Sequence, residues 1–598
     1  MRAGLTVRND GPAPLRRLIL QISSSLHWDA FSSLAYASGS QPLAFASHLV
    51  DTDADHTGSI AEAVITLPQP LAPGASLTLT ALYSGALPQS AERLTRIGAP
   101  SNDALAQDWD AIAPTDPETA LVGTALRGFG NVLWYPVSAP PVFLGDGAKL
   151  FQSVGRTKLR EAAATIRLRL SVEYVGEPPD AAYFCGRRGQ LIAISDNPNL
   201  PAAQSPGIAT VTFDAQPLGF RTPSLFVTAG AASLTGTQAN PDLIAALTPH
   251  EDALPAYAAA AAQVEPLLAD WLGAQPLGPL TLLDHPGDPF EDDALLVRPM
   301  RAADPAALAP SLVHSLTHAW IRSSRPWIDE GLAEFMSLLW IERTQGRPAT
   351  LSQLQDAART LALTEPELPA SLPNAESTAS SNSQSAPTSP PPAPSKISSS
   401  SDSPSHPDKS SSPIPSFSPA GASLADASGE VFYRTKAAAV WWMLRGIVGD
   451  DALKQALQAY RKDSRLDRDP TGFEQTLAAA THQDLRWFFS DWVYRDRGLP
   501  DLSIVSVTPS QLEPNGAAAA GWLIAVDVRN NGYAGAQVTV TVRGGTATET
   551  RQLRIPGRSS ASVRIVFAGT PQQVQVNDGS VPETETSIHT RQLVLPGK

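Results

Sequence analysis

Cysteine is almost absent from this chain of 598 residues, in which Cys185 is the only one. An intrachain disulfide is therefore excluded, and so is a zinc site built from several thiolates. Cys185 stands between Phe184 and Gly186, and we expect it to be an unreactive thiol in a hydrophobic core. The compartment stays open, because a protein of the cell envelope need not contain disulfides.

Excess positive charge is missing as well. The sequence holds 44 Lys and Arg against 58 Asp and Glu, which gives a formal net charge of -14. A chain of this charge has no general electrostatic attraction to nucleic acid or to an anionic membrane. We therefore predict neither of them as a partner.

Long apolar runs are the third absence. No stretch reaches the roughly 18 apolar residues of a membrane span, and residues 1–5 contain no apolar run of signal length. Residues 5–11 have the pattern of a strand that runs into a turn, so we expect the chain to begin inside a domain. An extracytoplasmic location then requires an export signal upstream of this sequence. Localisation and oligomeric state stay open.

The sequence does contain segments of different periodicity. Apolar side chains alternate with polar ones in 165–174, for example, which indicates a half-buried strand. Residues 255–272 show the spacing of an amphipathic helix, and 280–283 and 294–297 are strand-like. Pro326 predicts the first turn of a helix that the preceding Ser323-Ser324 pair would cap.

This patterning divides the chain into five predicted segments. They are an N-terminal β domain (1–229), the first part of a metal-binding domain (230–364), a disordered Ser/Pro-rich insertion (365–428), a helical second part (429–498) and a β-sandwich (499–598). The insertion is long for a compact domain, but the entropy of loop closure grows only logarithmically with length.

Two histidines carry the clearest chemical signal. His314 and His318 are four residues apart, so on a helix they lie one turn above each other on the same face. Glu330, separated from His318 by eleven residues, offers a carboxylate. Two imidazoles and a carboxylate, with a fourth position open, are the ligand pattern of a catalytic zinc site. By itself, the pair also fits two helical histidines that face alike without a metal.

Ser315 interrupts this pattern. The working motif is H-E-x-x-H, whose glutamate acts as the general base, and Ser315 occupies the glutamate position. A serine hydroxyl is no base near neutral pH, and loss of a general base lowers the rate by about 10² to 10⁴. Ser315 as a nucleophile lacks a surrounding G-x-S-x-G. Glu334, one turn beyond Glu330, is a substitute base or, preferably, a solvated or His-orienting group.

The whole constellation resembles the membrane alanyl aminopeptidase family of gluzincin zinc metallopeptidases, in which H-E-x-x-H-x-W is followed by W-L-N-E-G-F-A. His318-Ala319-Trp320 matches the end of the first motif, and Trp327-Ile328-Asp329-Glu330-Gly331-Leu332-Ala333 matches the second. The family has eighteen residues between the last two ligands, where this chain has eleven. Further similarity lies in Leu71-Ala72-Pro73-Gly74, Trp134-Tyr135-Pro136 and the closing segment 491–500.

The resemblance implies both a fold and a cofactor. The implied fold is multidomain α+β, with an N-terminal antiparallel β domain, a thermolysin-like, mainly helical domain and a C-terminal Ig-like β-sandwich. The implied cofactor is Zn²⁺, bound by His314, His318 and Glu330.

Two other family residues have uncertain counterparts in this chain. The family's G-A-M-E-N glutamate, which holds a substrate amine, has no clear match, although Glu291 stands in a suitable place; the alternative for Glu291 is an acidic turn. The family's transition-state tyrosine stands in Y-x-K-G, whereas Tyr433-Arg434-Thr435-Lys436-Ala437 has one residue too many. On an α-helix this would swing the phenol by about 100°, so the alternative for Tyr433 is a packing role.

These observations lead to three functional hypotheses. The preferred one is a zinc-binding, aminopeptidase-related protein that acts on or binds a peptide or protein and has weak or no peptidase activity, because Ser315 replaces the base. The second is a non-catalytic binding or assembly module of the same fold. The third is an active peptide hydrolase with a relocated base. The sequence leaves open whether the chain is an enzyme.

Overall fold

The computed structural model of the chain describes a defined set of residues. They are 1–35, 39–51, 59–86, 122–126, 134–138, 158–159, 161–162, 164–174, 178–194, 207–221, 223–228, 233–234, 243–284, 289–364, 423–495, 497–513, 521–585 and 588–595. The predicted disordered insertion falls on 365–422 for most of its length, outside the described residues.

The described residues among 1–86 form two antiparallel sheets around one apolar core. One sheet has the strand order β1-β7-β3-β4 and the other β2-β6-β5. Buried side chains from both sheets, such as Leu20, Ile65 and Leu79, meet in that core. The strands are β1 (Arg2–Arg8), β2 (Leu15–Ser23), β3 (Leu26–Ala35), β4 (Gly39–Pro42), β5 (Phe45–Asp51), β6 (Ser59–Leu71) and β7 (Ser76–Gly85).

Two further antiparallel sheets follow, with the orders β11-β10-β14-β8 and β12-β13-β9. The predicted strand at 165–174 is confirmed, since every second side chain of β9 is partly buried. Cys185 is buried in the core of this region, as expected. The strands are β8 (Val122–Leu126), β9 (Thr165–Tyr174), β10 (Ala181–Phe184), β11 (Arg187–Gln190), β12 (Ile192–Ile194), β13 (Gly207–Pro217) and β14 (Leu225–Thr228).

A five-stranded mixed sheet, in the order β15-β16-β17-β19-β18, comes next. The three central strands run parallel, whereas the two edge strands are antiparallel to their neighbours. The two predicted strand-like stretches are the central strands β17 and β19. The strands are β15 (Ser233–Leu234), β16 (Ile244–Leu247), β17 (Leu280–Asp284), β18 (Phe290–Asp292) and β19 (Leu295–Arg298).

Eight α-helices are present in the described residues. They are α1 (Leu254–Leu272), α2 (Pro305–Trp320), α3 (Pro326–Gln345), α4 (Arg347–Thr364), α5 (Ala437–Val448), α6 (Asp450–Lys462), α7 (Gly472–Thr481) and α8 (Arg486–Phe489). Two π-helical segments, Val431–Lys436 and Ser490–Tyr494, run into α5 and out of α8. In the described parts of the chain, no helix is long and apolar enough to cross a membrane.

The start of α3 differs from the prediction. Pro326 does occupy the first turn, but Arg325 precedes it and its side chain makes no capping hydrogen bond. The hydroxyls of Ser323 and Ser324 instead donate to the Asp467 carboxylate. Ser323 Oγ does accept the backbone N–H of Arg325 at 3.1 Å, but Arg325 precedes the helix. The predicted capping of helical N–H groups by these serines is therefore wrong.

The C-terminal strands form two antiparallel sheets with the orders β20-β21-β24 and β23-β22-β25-β26. Their buried faces share one core with the helices. A mixed α+β fold with several sheets is thus confirmed, while the domain boundaries and the Ig-like sandwich stay predictions. The strands are β20 (Leu502–Leu512), β21 (Gly521–Asn530), β22 (Ala536–Gly544), β23 (Ala547–Ile555), β24 (Ser560–Ala568), β25 (Gln573–Val576) and β26 (His589–Gln592).

Candidate metal centre

Helix α2 carries both histidines and Ser315. It begins with Pro305, and the Asp304 carboxylate accepts a hydrogen bond of 3.1 Å from the backbone N–H of Ala306, so its first turn is capped. Its apolar face is buried, and the Trp320 ring N–H donates to the carbonyl of Gly273 at 2.9 Å. The helix is fixed by this packing and presents its histidines to one side.

Helix α3 carries Glu330. Trp327 anchors its first turn by stacking on Trp441, with ring centroids 5.1 Å apart. Gly331 allows the start of α5 to approach α3 closely, because a Cβ on Gly331 would lie 2.4 Å from the Cβ of Ala437. Glu330 therefore lies on α3 between two residues, Trp327 and Gly331, that pack tightly against α5.

Two histidines and two glutamates converge at this place. The Nε2 atoms of His314 and His318 face each other at 3.3 Å. The Nε2 of His314 also lies 3.4 Å from Glu330 Oε2 and 3.5 Å from Glu291 Oε2. Ligand atoms of Glu291, His314 and His318 all lie within 4.8 Å of one another, so these three side chains can hold a metal ion.

Glu330 has a second partner. The Nε of Arg434 donates to Glu330 Oε2 at 2.8 Å, and its Nη1 donates to Glu430 at 2.8 Å. The oxygen of Glu330 that faces His314 is thus the one that Arg434 contacts. Glu330 thus lies beside His314, with a guanidinium next to it that the sequence did not predict. The group of possible ligands within 4.8 Å of one another contains Glu291 and not Glu330, so the role of Glu330 as a ligand stays a prediction.

Two more carboxylates lie behind the histidines. Glu334 Oε1 is 3.5 Å from His314 Nδ1, and Asp329 Oδ1 is 3.9 Å from His318 Nδ1. Carboxylates at the far nitrogen of a histidine orient the ring and raise its basicity in metal sites. The His-orienting alternative for Glu334 agrees with its position. Asp329 was not predicted as a site residue, although it precedes Glu330 in the matched motif; its carboxylate lies behind His318 of the neighbouring helix α2.

The electrostatic field at the centre favours positive charge. Burial acts to lower the pKa of His314, but the hydrogen bond with Glu330 and the charges of Glu291, Glu330 and Glu334 outweigh it and raise that pKa to about 9. Burial acts to raise the pKa of Glu330, but Arg434 and both histidines hold it well below its usual value. A field that stabilises an imidazolium also stabilises a metal cation at the same position.

Glu291 reaches the centre from a strand. It lies in the middle of the edge strand β18, so the alternative of an acidic turn is wrong; the turn follows at Asp293, whose φ is 58°. The hydroxyl of Ser315 donates a hydrogen bond to Glu291 Oε1. Ser315 is fully buried, so its hydroxyl is committed to this carboxylate.

Tyr433 stands in the π-helical segment Val431–Lys436. A π-turn contains one residue more than an α-turn allows, so the extra residue between Tyr433 and Lys436 does not produce the α-helical rotation that we expected. The phenol ring packs edge-on against Phe220 at 5.0 Å. Burial and the nearby charge of Glu330 raise the pKa of Tyr433 well above its usual value, so it stays a protonated hydrogen-bond donor near the centre.

Comparison with known protein families gives no match to this chain, and no curated protein matches it either. Solved structures do. One is the crystal structure of an M1 zinc metallopeptidase from Deinococcus radiodurans, with 16% identity over 82% of this chain and 89% of that chain, and a TM-score of 0.39.

Another is the crystal structure of Legionella pneumophila aminopeptidase A in complex with aspartic acid. It is 11% identical to this chain, covers 97% of it and has a TM-score of 0.51; the chain spans 57% of that protein's length. The likeness to this second structure is one of fold alone.

Proposed function

We propose that this chain is a zinc-binding protein related to aminopeptidases, with weak or no peptidase activity because Ser315 stands where the general base would be. Its metal ligands include His314, His318 and Glu330. Its ligand or substrate is a peptide or the end of a protein chain. The observation that carries the proposal is the 3.3 Å approach of two imidazole nitrogens beside two carboxylates.

The donor set fits zinc in both kind and spacing. Zinc takes imidazole nitrogen and carboxylate oxygen at about 2.0 to 2.2 Å, and two ligands of a tetrahedral ion at that distance lie about 3.3 to 3.5 Å apart. The distances from His314 Nε2 to His318 and Glu330 are 3.3 and 3.4 Å. The acidic surroundings offset the charge of a divalent ion.

The chemistry that zinc supplies when bound is polarisation of a carbonyl group and activation of water. The protein's own contribution to that chemistry is incomplete. Ser315 cannot accept a proton near neutral pH, and its hydroxyl is used by Glu291. Tyr433, which keeps its proton, is the group we propose for a hydrogen bond to a bound carbonyl oxygen.

Metal content tests the first half of the proposal. We expect about one zinc per purified chain, and loss of most of it in His314→Ala and His318→Ala. His250→Ala is the matched control, since His250 Nδ1 pairs with Asp284 at 2.8 Å outside this centre. A chain without stoichiometric zinc, whose folding is unchanged by His314→Ala, contradicts the proposal.

Turnover of aminoacyl and peptide substrates tests the second half. We expect wild-type rates at or near background and a gain in Ser315→Glu, because a positioned base contributes about 10² to 10⁴ in rate. Strong wild-type turnover that His318→Ala abolishes would instead favour an active hydrolase with a relocated base.

A further inference from the structure

Strand β18 brings a second carboxylate, that of Glu291, to the side of the histidines where the helical motifs provide only Glu330. We infer that the carboxylate of Glu291 is a ligand of the same metal that His314 and His318 bind. It occupies the coordination position that a catalytic zinc keeps open. The inference rests on the proposed zinc binding and deepens it. It replaces the role of amine binding that the family resemblance gives to Glu291.

Distance supports a coordinating position. Glu291 Oε2 lies 3.5 Å from His314 Nε2, beside the 3.3 Å and 3.4 Å separations of His318 and Glu330 from the same atom. All three agree with the spacing of about 3.3 to 3.5 Å between ligands of one tetrahedral zinc. A group that only binds the far end of a substrate has no need to approach a ligand so closely.

Charge points the same way. Glu330 shares its inward oxygen with Arg434 at 2.8 Å, so much of its charge is already compensated. Glu291 accepts instead from the neutral hydroxyl of Ser315 through Oε1, while Oε2 faces His314. A ligating carboxylate whose second oxygen accepts a hydrogen bond is the usual arrangement in metal sites.

Strand β18 is firmly held, so Glu291 is presented from a fixed position. The next residue, Asp292, is buried and accepts a hydrogen bond from Ser224. Asp293 pairs with Arg322 at 2.8 Å. Gly186 touches the same strand, because a Cβ on it would lie 2.6 Å from the carbonyl oxygen of Asp292. Such support is what a precise ligand requires.

The inference also gives Ser315 a physical role. A glutamate at this position would place a second carboxylate against Glu291, and like charges so close disfavour each other. A serine removes that repulsion and donates a hydrogen bond that orients Glu291. Ser315 and Glu291 together then give a site with fewer open coordination positions than a catalytic zinc site has.

The decisive experiment measures metal affinity in the full chain. Zinc affinity would be obtained by competition with a chromogenic chelator for the wild type, Glu291→Gln and the control Glu334→Gln. Glu334 lies 3.5 Å from the outer nitrogen of His314, so its variant removes the same charge without removing a ligand. Removing a group that hydrogen-bonds to a metal ligand typically lowers metal affinity by about 10- to 100-fold. We expect the loss of zinc affinity in Glu291→Gln to be at least about ten times larger than the loss in Glu334→Gln.

The visible absorption of bound Co²⁺ gives a second readout, since it reports coordination geometry. We expect it to change in Glu291→Gln and to stay as in the wild type in Glu334→Gln. Glu291→Asp, which withdraws the carboxylate but keeps its charge, should also bind zinc more weakly and serves if Glu291→Gln does not fold.

The outcomes separate the two proposals. A wild-type chain that binds no metal overturns the proposed function. A wild type that binds zinc, with Glu291→Gln matching Glu334→Gln in affinity and the wild type in Co²⁺ spectrum, overturns only the assignment of Glu291.

Discussion

Ser315 is connected to strand β18, and this connection decides what a substitution there can do. Its hydroxyl is buried and donates to Glu291, which in turn faces His314 at 3.5 Å. A new side chain at position 315 would therefore contact the Glu291 carboxylate, whether or not a substrate is bound. Restoring the motif glutamate changes two interactions at once, and the two must be separated experimentally.

The first prediction concerns this pair of positions. At saturating zinc, we expect peptidase activity to rise in the order wild type, Ser315→Glu, then Ser315→Glu combined with Glu291→Gln. The double variant has a base and no opposing carboxylate, so its gain approaches the factor of about 10² to 10⁴ of a positioned general base. Initial rates on an aminoacyl substrate measure this. Equal or lower activity in the double variant than in Ser315→Glu would contradict the proposed interference.

The side chains of the metal centre are placed by helices and strands, and the sequence predicted some of these elements but not others. The period of apolar residues gave β9 and α1, and the spacing of His314 and His318 gave a shared helical face, because these patterns are local. Glu291 lies on β18, which pairs antiparallel with β19, and β19 in turn joins the mixed sheet beside β17. Its approach to the histidines of α2 is a tertiary contact that no local pattern predicts. The π-turn at Tyr433 was missed since α-helical geometry was assumed, and Asp467 has no local signal at all.

The contact between α3 and the π-helical segment gives the second prediction. Gly331→Ala would place a methyl group 2.4 Å from Ala437, and such overpacking typically lowers the free energy of unfolding by about 1–3 kcal/mol. It should also displace Tyr433 and Arg434 and weaken zinc binding. Denaturant unfolding and metal competition measure both effects.

Two variants make the result interpretable. Gly446→Ala is a matched control on exposed α5 surface, where an added Cβ meets nothing within 4 Å, and it should be neutral or stabilising. Ala437→Gly combined with Gly331→Ala removes the clashing methyl and should recover zinc affinity. Without that recovery, the close approach is not the cause.

The third prediction concerns Asp467, which organises the start of α3. It accepts hydrogen bonds from the hydroxyls of Ser323 and Ser324 and, at 2.8 Å, from the phenol of Tyr460. Asp467→Ala should lower the free energy of unfolding by at least about 1.5–3 kcal/mol, the usual value for one hydrogen bond to a charged group. Asp463→Ala is the control, because its partner Arg465 is exposed, and its effect should be much smaller.

At the scale of the whole molecule, the helices and the C-terminal sheets share one core, whereas the N-terminal sheets have cores of their own. Specific contacts join the helices to the C-terminal sheets. The ring N–H of Trp492 donates to the carbonyl of Gly535 at 2.8 Å, the Gly535 N–H donates to Asp491 at 3.0 Å, and Arg347 pairs with Asp578 at 3.0 Å. The metal centre and the C-terminal strands should therefore unfold together.

A partly buried pair beside the C-terminal sheets should make the stability of this part of the protein depend on pH. His589 Nε2 lies 2.8 Å from Glu583 Oε2, and Glu583 also accepts from the backbone N–H of Leu502 at the first C-terminal strand. Burial acts to lower the pKa of His589, but the hydrogen bond and the charges of Glu583 and Asp501 outweigh it, so the pKa is raised above its usual value.

The sign of the fourth prediction follows. A raised pKa in the folded state means that the protonated histidine stabilises folding fully below its unfolded pKa of about 6.5, and that this contribution is lost as pH rises through the folded pKa. His589→Gln should therefore destabilise the protein more at pH 6 than at pH 9, measured by denaturant unfolding. Glu583→Gln removes the charge that raises the pKa of His589, so it should lower stability at both pH values. In a Glu583→Gln background, the effect of His589→Gln on stability should be nearly the same at pH 6 and at pH 9. A wild type whose advantage over His589→Gln grows at pH 9 would show that this pair does not link the C-terminal sheets to pH.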